Sequence, residues 1–115
     1  MKPFKARCVS AASEDGLLEI AFQAYEHQPD DGPYLDIQRD PEDTSNARYY
    51  IEAIDPLGEY GYGYYAVQRA ELRRTSFRIR WGSGAEESVE VTFEVDASKF
   101  AELTRVAKLM FPVRR

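Results

Sequence analysis

Two side chains in this sequence are of the types that most often act as nucleophile and general base: Cys8 and His27. Each is the only residue of its kind, and a catalytic pair needs both groups within hydrogen-bond reach plus a third that orients the base. Cys8 follows Phe4 and Ala6 in alternation, so we expect it on the buried face of a strand as an inert thiol. His27 lies among prolines and acids that predict an exposed loop. The sequence therefore favours a protein that is not an enzyme.

Metal binding is not supported by the residue types available. One cysteine and one histidine are too few for a closed zinc centre. Asp40, Glu42 and Asp43 have a faint similarity to a calcium-binding loop, but the glycine of the sharp turn is missing and the twelfth position is Ile51. We therefore expect no metal and no cofactor.

Phosphate binding is suggested by two features, and neither is strong evidence. The Gly-x-Gly pairs at 61–63 and 82–84 lack a third glycine and do not open a helix, so a dinucleotide-binding motif is excluded. In the arginine cluster, Arg78 and Arg80 should point outward on one strand and Glu90 outward on the next. Cross-strand ion pairs, worth roughly 0.2–1 kcal/mol each, explain the cluster better than phosphate contacts do. The cluster comprises Arg69, Arg73, Arg74, Arg78 and Arg80.

The acidic charge is concentrated in one stretch, residues 14–60. It holds thirteen acids against Arg39 and Arg48, a net charge of −11, whereas the rest of the chain carries +6 and the whole protein −5. Such a surplus projects a negative field, which attracts a basic partner and repels nucleic acid.

A run of tyrosine and glycine, residues 59–65, is the second unusual feature. Glycine permits close backbone approach, and tyrosine, a rigid ring with a polar end, is common among interface hot spots. The alternative is that some rings cover the core edge while the glycines form a bulge. With the acidic loops as a rim, the segment indicates a binding surface. The candidate partner-binding residues are Glu26, Asp30, Asp31, Asp40, Glu42, Asp43, Glu59, Tyr60 and Tyr62.

The totals indicate a single domain over residues 1–115. Hydrophobic residues make up 43% and charged residues 30%, as in ordinary globular proteins. The lone cysteine excludes an internal disulfide, no stretch has the features of a signal peptide, and none approaches the ~20 apolar residues of a membrane span. We expect a cytoplasmic protein, and the oligomeric state stays open.

Period-two alternation runs through most of the chain and predicts about seven strands. After Asp96, which can cap a helix, the period becomes helical until Pro112. The sequence therefore predicts an α+β domain, an antiparallel sheet with one C-terminal helix packed on a sheet face. The predicted strands lie near residues 4–8, 18–24, 35–37, 48–55, 67–72, 77–81 and 89–95, and the apolar stripe of the helix is Phe100, Leu103, Ala107 and Met110.

The order of several short motifs resembles immunity protein family ten, small antidote proteins encoded beside polymorphic toxins in bacteria. The motifs are Tyr-Leu-Asp-Ile-Gln-Arg at 34–39, Tyr-Tyr-Ile-Glu at 49–52, Gly-Tyr-Gly at 61–63, a later hairpin and the helix end at 109–111. The resemblance covers roughly residues 17–111. Tyr64 departs from it, because the family tends to a further glycine there.

The resemblance implies an antidote that binds the C-terminal toxin domain of a cognate effector and neutralises it, without catalytic residues. The acidic surface favours a basic toxin domain, and a nuclease is a further hypothesis that rests on charge alone. Neither nucleic acid nor a membrane is expected as a partner. The alternatives are a small-ligand binding module with a pocket between sheet and helix, and an enzyme that uses Cys8 or His27.

Overall fold

Two β-sheets and a C-terminal helix form the fold, which is α+β as predicted. The computed structural model describes residues 1–26, 32–40 and 48–111. In chain order the elements are β1 (Phe4–Ala6), β2 (Cys8–Glu14), β3 (Leu17–Gln23), β4 (Tyr34–Arg39), β5 (Arg48–Ile54), β6 (Tyr60–Ala66), β7 (Arg69–Leu72), β8 (Ser76–Arg80), a 3-10 turn (Ala85–Glu87), β9 (Ser88–Phe93) and α1 (Ala97–Met110).

The strands form a larger and a smaller sheet. The larger sheet has the order β2-β3-β4-β5-β6, and every neighbouring pair is antiparallel. The smaller sheet has the order β1-β9-β8-β7, in which β1 runs parallel to β9 and the other pairs are antiparallel. Over the described ranges there are therefore nine strands in two sheets, where the sequence predicted about seven strands in one.

One extra strand arises because the predicted first strand divides at Arg7. Ala6 is buried in the smaller sheet, whereas Val9 and Ala11 are buried in the larger one. Residues on one face of a continuous strand are an even number of positions apart, but Ala6 and Val9 are separated by three. The inward positions therefore shift by one residue where the chain passes from the smaller sheet to the larger one. Cys8 therefore occupies an outward position and is half-buried, which corrects the prediction of a buried thiol.

The second extra strand is the tyrosine–glycine segment, which forms β6 rather than leading into the next strand. Gly63 has a φ of 153°, where a side chain is strained, and a Cβ placed there would lie 3.1 Å from the Tyr65 hydroxyl. Glycine is thus needed at this position for β6 to run past the Tyr65 ring.

The two sheets enclose one hydrophobic core. The Phe22 ring of β3 stacks on Phe77 of β8 and Phe93 of β9, with centroids 5.4 and 5.7 Å apart. The alternating inward residues of both sheets are buried around these rings, as the period-two pattern predicted. One face of the larger sheet is consequently covered, whereas no described strand or helix packs on its outward face.

The helix packs on the same covered face, against β2 and β3. Asp96 caps it by accepting a 2.7 Å hydrogen bond from the Lys99 amide, as predicted. At the other end, Arg39 and Tyr49 both donate hydrogen bonds to the Met110 carbonyl, at 2.6 and 2.8 Å. Arg39 is one of the two basic residues of the acidic stretch. This contact holds its side chain on the inner side of the larger sheet.

Candidate functional site

The outward face of β3 to β6 collects acidic and tyrosine side chains, and we call it the acidic face. No strand or helix among residues 1–26, 32–40 and 48–111 packs on it. None of its described side chains is basic. Its members are Glu19, Tyr34, Asp36, Gln38, Tyr50, Glu52, Tyr60, Tyr62 and Tyr64.

Strand register brings three carboxylates of this face into a row. Asp36 of β4 lies directly opposite Glu52 of β5. On the other side of β4, Glu19 of β3 lies opposite Gln38, two residues along from Asp36. No salt bridge joins these three acids to a cation in the described part of the chain. Like charges on facing strand positions are destabilising, so the row has an energetic cost that the fold must offset.

Two tyrosine hydroxyls donate hydrogen bonds to one of these carboxylates, that of Glu52. Tyr34 donates a short hydrogen bond to one oxygen, and Tyr50 donates to the other at 2.6 Å. These hydrogen bonds hold the pKa of Glu52 below its usual range, although burial opposes them. Hydrogen bonding to Glu52, helped by burial, raises the pKa of Tyr50 to about 12, and burial followed by the Glu52 contact raises that of Tyr34 further. The carboxylate therefore stays ionised and fixed in position.

The neighbouring acids, Asp36 and Glu19, interact with each other. Burial raises the pKa of Asp36 to about 7, and the hydrogen bond and charge of Glu19 act in the same direction. Asp36 Oδ1 is buried and has no hydrogen-bond partner among the described residues. Gln38 donates a 3.0 Å hydrogen bond to Glu19 Oε2, which orients the second carboxylate. The proton that Asp36 holds below this pKa lowers the repulsion within the row.

Beside the carboxylates, β6 exposes a ladder of three rings. Tyr60, Tyr62 and Tyr64 are 51, 62 and 69% exposed, and they point to the same side because alternate strand residues share a face. The Tyr60 and Tyr62 rings lie 5.5 Å apart, and Tyr64 lies 5.3 Å from Tyr50 of β5. Tyr62 is directly opposite Glu52. The ladder is therefore continuous with the acid row.

The candidate residues predicted from the sequence fall at different places around this face. Tyr60 and Tyr62 are exposed, as expected. Glu59 precedes Tyr60, and Glu26 follows β3 at the same end of the sheet, whereas Asp40 follows β4 at the opposite end. The structure thus does not gather Asp40 with Glu26 and Glu59. Outside the described residues lie Asp30, Asp31, Glu42, Asp43 and His27.

The acid row was not predicted from the sequence, because the candidate acids were chosen from predicted loops. Glu19, Asp36 and Glu52 are half-buried strand residues whose meeting depends on pairing between strands. The sequence indicates that these acids point outward, because they alternate with inward residues such as Ile20 and Ile37. It does not indicate which residues face each other on neighbouring strands. Tyr64 was also left out, although it shares the face of Tyr62.

One acid of the acidic stretch, Asp55, has a structural role. It is 2% exposed and accepts backbone hydrogen bonds from Lys2, Leu57 and Glu59, each at 2.9 Å. Burial raises its pKa, but these N–H groups outweigh burial and hold it below the usual value. Asp55 therefore fixes the turn before β6 and does not contribute to the surface.

The described residues give no support for metal binding or for a membrane-spanning helix. Within the described ranges, no three His, Cys, Asp or Glu side chains come close enough to hold a metal ion. No helix in that part of the chain has the length and apolar character needed to cross a bilayer.

Comparison with known proteins yields no relative. No family model, no curated protein and no solved structure matches this chain. Residues and geometry therefore carry the functional argument.

Proposed function

We propose that this protein is a non-enzymatic immunity protein that neutralises a basic toxin domain by binding it with the acidic face. The observation that carries the proposal is the row of Glu19, Asp36 and Glu52 across three adjacent strands, beside an exposed tyrosine ladder. Carboxylates that form no ion pair with a described cation, next to exposed rings, suit a partner that supplies positive charge and apolar contact area.

The ladder supports a macromolecular partner. Tyr60, Tyr62 and Tyr64 lie along one strand and give an extended contact surface rather than a pocket. Their rings are held by contact with one another and with Tyr50, so little rotamer entropy is lost when they are covered. Rigid aromatic residues of this kind dominate the binding energy of many interfaces.

The acid row supports a basic partner. Glu52 is already ionised and oriented by two tyrosine hydroxyls, so an incoming guanidinium or ammonium meets a preorganised acceptor. A cation near Asp36 and Glu19 would also relieve the repulsion between them. Steering by the negative field would accelerate the encounter, most strongly at low salt.

The role of antidote is supported by the resemblance to immunity protein family ten. The motifs at 34–39, 49–52 and 61–63 supply alternate side chains to the acidic face, including Asp36, Glu52 and Tyr62. The cognate partner would be a toxin C-terminal domain. A nuclease is the further hypothesis, since enzymes that bind nucleic acid expose cations.

The test is protection of a host cell that produces the toxin domain encoded beside this protein. Co-expression of the wild-type protein should restore growth. Tyr62→Lys should reduce protection and weaken the measured affinity about tenfold or more, because it removes an aromatic contact and adds a repelling charge. Leu109→Lys is the matched control, since Leu109 is 52% exposed on the helix and gains the same charge.

The outcomes separate the role from the surface. If the wild-type protein gives no protection, the antidote role is wrong. If Tyr62→Lys and Leu109→Lys protect equally well, the role stands but the acidic face is not the contact surface. Circular dichroism of both variants confirms that each is folded.

A second candidate function is binding of a small apolar ligand between sheet and helix. An open groove of about 260 Å³ lies there, lined by Leu72, Phe77, Phe100 and Phe111. Thr104 also lines it, and its buried hydroxyl has no hydrogen-bond partner among the described residues. A thermal-shift screen of apolar ligands with one polar group tests this function; a rise in Tm that Thr104→Val abolishes would favour it.

A further inference from the structure

The outer face of the smaller sheet has its own charge pattern, and we call it the basic face. Its central row alternates in sign, because Arg78 of β8 lies between Glu71 of β7 and Glu90 of β9. Arg78 binds Glu90 at 2.9 Å, and Arg73 binds Glu71 at 2.7 Å. The Arg78–Glu90 contact confirms the cross-strand pairing expected from the sequence, and the charges of this row are largely neutralised.

The adjacent row is different, because it contains two arginines and no acid. Arg69 of β7 lies directly opposite Arg80 of β8, and Arg80 lies opposite Ser88 of β9. Arg69 has one contact to a carboxylate, at 3.4 Å to Glu71, which Arg73 holds more closely. Arg80 takes part in no salt bridge to any described acid. Cross-strand ion pairing therefore does not explain this row, and facing like charges are destabilising.

An open pocket of about 380 Å³ lies over these two rows. Arg69, Arg78 and Arg80 line it, and Glu90 is the one acidic residue among its described lining residues. Arg78 holds Glu90, and Glu71 is held more closely by Arg73 than by Arg69, so the charge of Arg80 and part of that of Arg69 remain to act on a ligand. The pocket is thus positive in a protein whose net charge is −5.

We propose that this pocket binds the phosphate group of a small phosphorylated ligand, held between Arg69 and Arg80. Guanidinium groups present planar pairs of N–H donors that match phosphate oxygens, and two of them balance a phosphate dianion. The ligand would remove the repulsion between the facing arginines. The pocket volume lies in the range of small-molecule sites, roughly 300–1,000 Å³. This inference does not rest on the proposed function, because the two surfaces belong to different sheets.

The test is a titration of the full chain with inorganic pyrophosphate at constant ionic strength, followed by NMR. Saturable shifts are expected for the amide signals of Arg80 and Ser88 and for the Nε–H signals of Arg69 and Arg80. Arg80→Gln should weaken binding about tenfold or more, because it removes charge-assisted hydrogen bonds. Arg69→Gln should do the same and serves if the first variant fails to fold. Arg105→Gln, at an exposed position of the helix, should change nothing.

Three outcomes would overturn the proposal. Shifts that do not saturate, or that survive both substitutions, would mean that the pocket is not an anion site. Equal binding of citrate would mean that the pocket does not select phosphate over carboxylate. Arginine-dependent binding of a duplex oligonucleotide without binding of pyrophosphate would point to nucleic acid instead.

Discussion

The acidic face and the basic face are both outer faces of β-sheets, but they differ in how their charged side chains are paired. On the basic face the central row alternates in sign, so Arg78 and Glu90 neutralise each other across the strands. On the acidic face the carboxylates of Asp36 and Glu52 stand opposite each other without a described cation. Charges that are paired within the protein serve the fold, whereas charges left unpaired are available to a partner.

The difference extends to the groups that satisfy the carboxylates. An arginine neutralises the acid that it binds, but a tyrosine hydroxyl donates a hydrogen bond and leaves the negative charge in place. Tyr34 and Tyr50 therefore hold Glu52 in position while its charge still acts on the surroundings. Tyr50 also connects the acid row to the exposed ladder of β6, because its ring lies against that of Tyr64.

The largest expected effect compares the two faces by removing three carboxyl groups from each. Glu19→Gln, Asp36→Asn and Glu52→Gln together should lower affinity for the toxin domain by roughly 100-fold at low salt, mainly through slower association. The matched control neutralises Glu71, Glu90 and Glu94 to glutamine, all on the smaller-sheet side. Stopped-flow mixing over a range of salt concentrations measures both. Equal losses would mean that net charge, not the acidic face, governs binding.

The next effect concerns the strand that carries the ladder. Gly63→Ala should destabilise the protein by about 1–2 kcal/mol, because the backbone there disfavours a side chain and the Tyr65 ring is close. Gly61→Ala is the control within the same strand, where the added Cβ would make an ordinary 3.6 Å contact with Met1 Cε. Urea denaturation compares the two. A smaller effect at Gly63 than at Gly61 would contradict the structure of β6.

A third prediction tests the raised pKa of Asp36, which is due first to burial and then to the neighbouring Glu19. The pKa of folded Asp36, about 7, lies above its ordinary value of 3.8. Between these values the folded state retains a proton that the unfolded chain has lost, so stability falls as pH rises through this window. Asp36→Asn should therefore gain roughly 1 kcal/mol over the wild type at pH 8, with little gain at pH 4, once solvent screening is allowed for. Thermal unfolding across this range checks it, and an equal effect at both ends would exclude the assigned pKa.

The smallest effect distinguishes the two rows of the basic face. Arg78→Gln should lower stability slightly, because it breaks the solvent-exposed pair with Glu90. Arg80→Gln should lose none, or gain a little, because it removes a charge that faces Arg69. Differential scanning calorimetry at low salt compares the variants. A greater loss at Arg80 would give that residue a structural role instead of a ligand-binding one.

The sequence predicted the local features of the fold better than its assembly. Alternation identified Tyr49, Ile51 and Ala53 as one buried face, and Asp96 was recognised as the helix cap. These features depend on residues close together in the chain. Division into two sheets depended on a break at Arg7, inside the single strand predicted near residues 4–8.

The candidate site depended still more on pairing between distant residues. That Asp36 faces Glu52 follows from the register of β4 with β5, which no local pattern specifies. The loops were predicted to bind a partner because they are rich in acidic residues. Half-buried acids inside strands are less conspicuous, although their position on an open sheet face is the stronger reason to expect a partner.

The central claim is that a basic partner docks on the acidic face. Titrating the isotopically labelled protein with the toxin domain proposed as its partner, and mapping the backbone amide shifts, tests that claim most directly. The account predicts that the largest shifts fall on β4, β5 and β6, around Asp36, Glu52 and Tyr62. Shifts confined to β7, β8 and β9, with the acidic face unchanged, would contradict it.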